Sequence, residues 1–111
     1  MKRFMFALLV LALFLSTGRA LGGMPWTFCV AAALGSREVW LTEVFAVPVG
    51  RQWLEGQLAN FLLRKGISPV NAQCPLPKDD KVAVLNDRVV AEEFNQKLGS
   101  SLHAIATRDF P

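Results

Sequence analysis

The sequence predicts an α+β fold, a two-layer sandwich in which a roughly four-stranded sheet carries two helices on one face. Two observations lead to this prediction. Two segments near residues 26 and 38 have the composition of buried strands, and two later segments repeat their apolar residues with the period of a helix. In chain order the predicted elements run β-β-α-β-α-β. Packing both helices on the inner sheet face would bury the apolar sides of all these elements in one core.

The first two predicted strands form an antiparallel hairpin. Residues 26–34 are apolar without an internal breaker, and Gly35 and Ser36 then provide a turn. Residues 38–47 alternate, with β-branched and aromatic side chains prominent. Because the connection is so short, the two strands should pair directly. Glu43 interrupts the apolar pattern of the second strand, so it should lie near an edge or find a polar partner.

A helix and a third strand follow the hairpin. The helix is predicted from about Gly50, because apolar residues recur at i, i+4, i+7 and i+8, namely at Leu54, Leu58, Phe61 and Leu62. Gly66 should end this helix, since glycine readily adopts the left-handed conformation that follows many helices. Residues 67–74 then read as a strand that brings Cys74 close to Cys29.

A long second helix is predicted next. Its start is marked by prolines and acidic residues, which are favoured before and within a first turn: Pro75, Pro77, Asp79 and Asp80. It extends to about Leu98, where Gly99 ends it, and residues 101–107 are predicted as a fourth strand. The apolar residues of this helix fall into two stripes, the first Val82, Leu85 and Val89, the second Val90, Phe94 and Leu98. We therefore expect either that the helix bends or that its first turns pack on a different neighbour from its last.

The amino terminus has the pattern of an export signal over residues 1–20. Lys2 and Arg3 precede an apolar run over residues 4–15, and small residues at Gly18 and Ala20 fit a cleavage point between Ala20 and Leu21. The alternative is a retained membrane anchor, but a spanning helix needs roughly 17 to 25 apolar residues. We therefore expect a single domain over residues 21–111, located in the periplasm or outside the cell, with no stable membrane insertion after signal removal.

Charge argues against nucleic-acid binding. The chain has 12 basic and 9 acidic residues, a formal net charge of +3. Lys2, Arg3 and Arg19 lie in the predicted signal peptide, and without these three residues the basic count drops to 9, equal to the acidic count. Binding to nucleic acid would require a clustered basic face.

The two cysteines, Cys29 and Cys74, are predicted to form a disulfide, because both lie in the portion expected to reach an oxidising compartment. The chain-entropy model values such a bridge at roughly 4 kcal/mol. A zinc site would need further ligands, and the chain offers one histidine, His103. No metal and no cofactor are predicted.

The sequence favours a small non-enzymatic binding module whose partner is another protein or an envelope component. Trp40 and Val44 are its candidate binding residues, because a two-layer fold leaves the outer sheet face uncovered. The structural interpretation is that another part of the chain or a second copy covers this face. The alternative function is a small thiol-dependent or redox enzyme that uses a free cysteine together with His103.

Overall fold

The computed structural model describes residues 24–47 and 50–111. These residues form six strands and two helices. The strands are β1 (Trp26–Thr27), β2 (Val30–Ala33), β3 (Glu38–Thr42), β4 (Phe45–Ala46), β5 (Val70–Gln73) and β6 (Ser101–Ile105). The helices are α1 (Arg51–Arg64) and α2 (Lys81–Lys97). The predicted α+β class is confirmed.

The main sheet has four strands in the order β5-β2-β3-β6. β2 is antiparallel to both β3 and β5, which confirms the predicted hairpin, and β3 is parallel to β6. β1 and β4 form a second, two-stranded sheet, and Lys78 bridges to Trp26 on the other edge of β1. The chain therefore leaves β5 at one edge of the main sheet, passes through α2, and returns as β6 at the other edge.

α1 covers one face of the main sheet. Its buried residues lie four apart and form one stripe, which is Leu54, Leu58 and Leu62. This stripe packs with Ala31 of β2 and Ile105 of β6 in the main core. Full burial of a leucine contributes about 2 kcal/mol, so the stripe accounts for much of the attachment of α1. The predicted helical period is confirmed here.

α2 lies on the opposite face of the sheet. Leu41 pairs with Ala104, and because adjacent strand residues point to opposite faces, Leu41 points away from Trp40 and α1. Leu41 and Ala104 line a cavity together with Arg88 and Glu92 of α2. The two helices therefore lie on opposite faces of the sheet, whereas the sequence led us to expect both of them on one face. A helix that joins the two edges of a sheet can cross either face, and its apolar pattern does not specify which.

Each strand of the predicted hairpin is divided in two. The segment over 26–34 forms β1 and β2, and the segment over 38–47 forms β3 and β4. Thr42 holds the chain where the strands divide. Its N–H donates to the carbonyl of Cys29 at 2.9 Å, and its Oγ1 accepts a hydrogen bond from the N–H of Cys29 at 2.8 Å.

Glu43 has the polar partner that the sequence led us to expect. Its Oε1 accepts a hydrogen bond from the N–H of Thr107 at 3.0 Å. Its own N–H donates to the carbonyl of Ile105 at 2.9 Å. These two bonds join the end of β3 to the end of β6.

The helix ends follow the predicted local signals. Asp80 caps α2, its side chain accepting hydrogen bonds from the N–H groups of Val82 and Ala83. Gly66 and Gly99 follow the two helices, each with a φ of +80°, a conformation that costs other residues about 1 kcal/mol or more.

The predicted signal peptide over residues 1–20, with its cleavage point between Ala20 and Leu21, lies outside the described residues. Across residues 24–47 and 50–111, neither helix has the length and apolar character needed to cross a membrane.

Candidate functional site

The two cysteines form the predicted disulfide. Cys29 and Cys74 are bonded and both are fully buried. α1 is fastened to this bridge, because Arg51 donates from Nε to the carbonyl of Cys74 at 2.7 Å and Glu55 accepts from the N–H of Cys74 at 2.8 Å. The disulfide is therefore a structural link between the sheet and α1.

The alternative of a thiol enzyme loses its nucleophile in this structure. The sequence has two cysteines, and both are in the disulfide. His103, the proposed partner of the thiol, instead stacks on Trp40 with 5.1 Å between ring centroids. Its Nε2 lies 3.3 Å from Oε1 of Glu38.

Trp40 is placed differently from our expectation. We expected it on an uncovered sheet face, but its side chain is only 9% exposed and belongs to the main core. The physical reason is that α1 covers the face to which Trp40 points. Phe61 and Leu62 of α1 line the same small cavity as Trp40.

Val44, the second candidate residue, is half-buried beside α2. It lines a groove of about 340 Å³ with Leu85. The charged residues Glu43, Lys81 and Arg88 complete the lining. Val44 therefore adjoins the first apolar stripe of α2 rather than Trp40.

The exposed apolar side chains of α2 form two stripes, one on each side of a polar line that contains Asn86 and Glu93. Six large apolar side chains of this helix and its end are between 44% and 64% exposed. We call them the α2 surface: Val82, Leu85, Val89, Val90, Phe94 and Leu98. Exposed apolar residues are ordinary when they are scattered, but contiguous ones mark interaction sites.

The α2 surface points outward because other residues attach the helix to the sheet. Val84 is 3% exposed and is the buried residue of α2. One turn later, Arg88 donates from Nε to the carbonyl of Thr42 at 2.7 Å and pairs with Glu92 through Nη1. The inner side of α2 thus combines one apolar contact with a charged anchor.

One flank of α2 points toward the β5 edge of the sheet. Asp87 forms a salt bridge of 2.7 Å with Lys78. Lys78 in turn pairs with Trp26, on the edge of β1 that is opposite to the edge paired with β4. Phe94 follows Asp87 at i+7 and therefore lies on the same flank. We call the exposed residues of this flank the ridge: Val90, Phe94 and Leu98.

The sheet beside the ridge is only partly covered. Val39 and Leu41 of β3, which face α2, are 4% and 2% exposed. The neighbouring positions of β2 on this face are half-buried and those of β5 are exposed. We call these four residues the open half of the sheet: Val30, Ala32, Asn71 and Gln73.

The sequence predicts all six residues of the α2 surface as apolar positions that pack on neighbouring elements, whereas in the structure they are exposed. The signal in the sequence that indicates exposure is their angular spread. Successive helix residues differ by about 100°, so Leu85 and Leu98 lie on opposite flanks, with Val82 and Phe94 between them. A single packing partner does not cover so wide an arc.

Among residues 24–47 and 50–111, no cluster of histidine, cysteine and acidic side chains has the arrangement of a metal site. No protein-family model matches the chain, and no curated protein or solved structure matches it significantly. A function for this chain is therefore inferred from its own geometry.

Proposed function

We propose that this protein is an exported, non-enzymatic interaction module that binds another protein through the α2 surface. One observation carries the proposal: α2 turns six large apolar side chains away from its own core. These side chains form two stripes along the helix, and contiguous exposed apolar area marks an interaction site. Leaving this area in water is unfavourable by roughly 25 cal/mol per Å², a free energy that a partner would recover.

A protein partner fits this helix better than a lipid surface. Helices that lie in a membrane interface are rich in Lys and Arg on their polar side. α2 carries three basic residues, Lys81, Arg88 and Lys97, and three acidic ones, Asp87, Glu92 and Glu93. Its net charge is therefore zero, and attraction to anionic lipid would be weak.

Two features support export. The amino terminus has the charge and apolar pattern of a signal peptide, and a fully buried disulfide is typical of proteins from oxidising compartments. The intact mass of the exported protein, with and without reduction and alkylation, tests this part. We expect a chain that begins at Leu21, two hydrogens lighter than its reduced form. A retained amino terminus or an alkylated cysteine without prior reduction would contradict it.

Site-specific photocrosslinking in the native host tests the interaction. A photoreactive amino acid replaces Phe94 in one variant of the full chain and Trp53, an exposed residue of α1, in the control. We expect a crosslinked protein species from position 94 and none from position 53. Equal crosslinking from both positions, or none from position 94, would refute the α2 surface as the binding site.

A further inference from the structure

We infer that the partner of the α2 surface is a second copy of this chain. Two copies would pack face to face, with the sheet faces that carry α2 toward each other. The α2 of each copy would lie beside the ridge of the other copy and over the open half of the other copy's sheet. The inference rests on the proposed function, because it names the occupant of the surface proposed there. Four observations support this choice.

The first observation is a missing helix. On the side of the sheet opposite α1, α2 covers β3, where Leu41 is 2% exposed, but leaves Val30 and Ala32 of β2 half-buried. A second helix laid alongside α2 would cover this gap. The chain itself presents a helix with an uncovered apolar stripe on each flank, so two copies supply to each other what each lacks.

The second observation is that the ridge is self-complementary. Val90, Phe94 and Leu98 are spaced four residues apart, and rows with this spacing form one of the standard packing ridges of helices. In the face-to-face arrangement the two-fold axis runs along the two helices, so the helices are parallel and each ridge residue meets its own copy, with Phe94 against Phe94 of the partner subunit. An isologous contact requires this kind of match between a patch and itself.

The third observation concerns polar residues. Asn86 and Glu93 lie on the outer side of α2, between its two apolar stripes, and both are exposed. In the face-to-face arrangement this side of α2 lies over the open half of the other sheet, where Asn71 and Gln73 are exposed. Amide groups donate to carboxylate and amide oxygens, so these residues have hydrogen-bond partners across the interface.

The fourth observation is charge and size. Without the predicted signal peptide the chain has equal numbers of basic and acidic residues, and a net charge near zero favours association. α2 has 17 residues and spans about 25 Å, and with two neighbouring strands the face is about 20 Å wide. The face therefore has an area of about 500 Å² per copy, or about 1,000 Å² for two copies, which is the lower limit for a specific interface.

Sedimentation equilibrium over a concentration series tests the inference on protein recovered from cells that express the full chain, its amino terminus defined by intact mass. We expect a monomer–dimer equilibrium. Phe94→Glu should raise the dissociation constant more than about tenfold, because it places a charge opposite its own copy. Trp53→Glu, at a residue of similar exposure on α1, should leave it unchanged. Circular dichroism verifies that both variants are folded.

A cysteine substitution tests the two-fold arrangement directly. Since both native cysteines are bonded to each other, Phe94→Cys adds a lone thiol. We expect it to form a disulfide-linked dimer under mild oxidation with oxidised glutathione, whereas Trp53→Cys stays monomeric. Equal dimer formation by the two variants would overturn the inference.

The failure of this inference is distinguishable from failure of the proposed function. A monomer at all concentrations overturns the second copy as occupant, and so does a dimer that Phe94→Glu leaves intact. If position 94 nevertheless crosslinks to a different protein in cells, the proposed interaction surface stands. Absence of both dimer and crosslink overturns both.

Discussion

Arg88 donates a hydrogen bond from Nε to the backbone carbonyl of Thr42 at 2.7 Å, which joins the middle of α2 to the end of β3. The side chain is 18% exposed and is paired with Glu92. Arg88 also lines the cavity beside Leu41 and the groove beside Val44. This one arginine therefore fixes the position of the helix whose outer side is the proposed binding surface.

Arg88→Ala should destabilise the protein by about 1.5–3 kcal/mol, the range for a hydrogen bond to a charged group. Urea denaturation followed by circular dichroism measures the change in the free energy of unfolding. Arg64→Ala, at an exposed residue in the last turn of α1, is the control and should change it by less than about 0.5 kcal/mol. Equal effects of the two substitutions would show that Arg88 does not anchor α2.

Removal of the disulfide should cost about 4 kcal/mol, because the bridge closes a loop with a sequence separation of 45 residues. The double substitution Cys29→Ala and Cys74→Ala tests this by urea denaturation. A reducing agent should destabilise the native protein by a similar amount and leave the double variant unaffected. Native stability that does not respond to reduction, once alkylation shows the bridge to be open, would contradict the structural role of the bridge.

Asp80→Ala should destabilise the protein by about 1 kcal/mol, because it removes the side chain that accepts hydrogen bonds at the start of α2. Asp80→Asn is a matched control, since asparagine caps helices about as well as aspartate. Thermal unfolding of the three proteins under identical conditions provides the comparison. An asparagine variant as unstable as the alanine variant would indicate that charge, rather than capping, is what Asp80 supplies.

The features that the sequence predicted correctly depend on local chemistry. Asp80 caps α2 through groups two and three residues away, and Gly66 ends α1 through its own backbone conformation. The disulfide could also be predicted, because the expected compartment is oxidising and two cysteines, Cys29 and Cys74, allow one pairing.

The features that were not predicted depend on tertiary contacts. Both sides of β3 are apolar, and each is covered by a different helix, so the pattern did not reveal on which side Trp40 would lie. In α2, Val84 and Leu85 are adjacent and both apolar, yet only Val84 is buried. Burial there is decided by Arg88 and its acceptor on β3, a contact between residues 46 apart that helical periodicity does not record.

The orientation of α2 can be tested with two identical substitutions in the same turn. Val84 is 3% exposed and Val82 is 64% exposed, so both lose the same two methyl groups on mutation to alanine but from different surroundings. Val84→Ala should cost about 2 kcal/mol, because it removes buried apolar atoms and leaves a cavity. Val82→Ala should change stability by less than about 0.5 kcal/mol at concentrations where the protein is monomeric. Since helix propensity changes equally in both variants, the difference between their free energies of unfolding isolates burial. The reverse order would mean that the two-stripe pattern packs inward after all, and the α2 surface would not exist as a site.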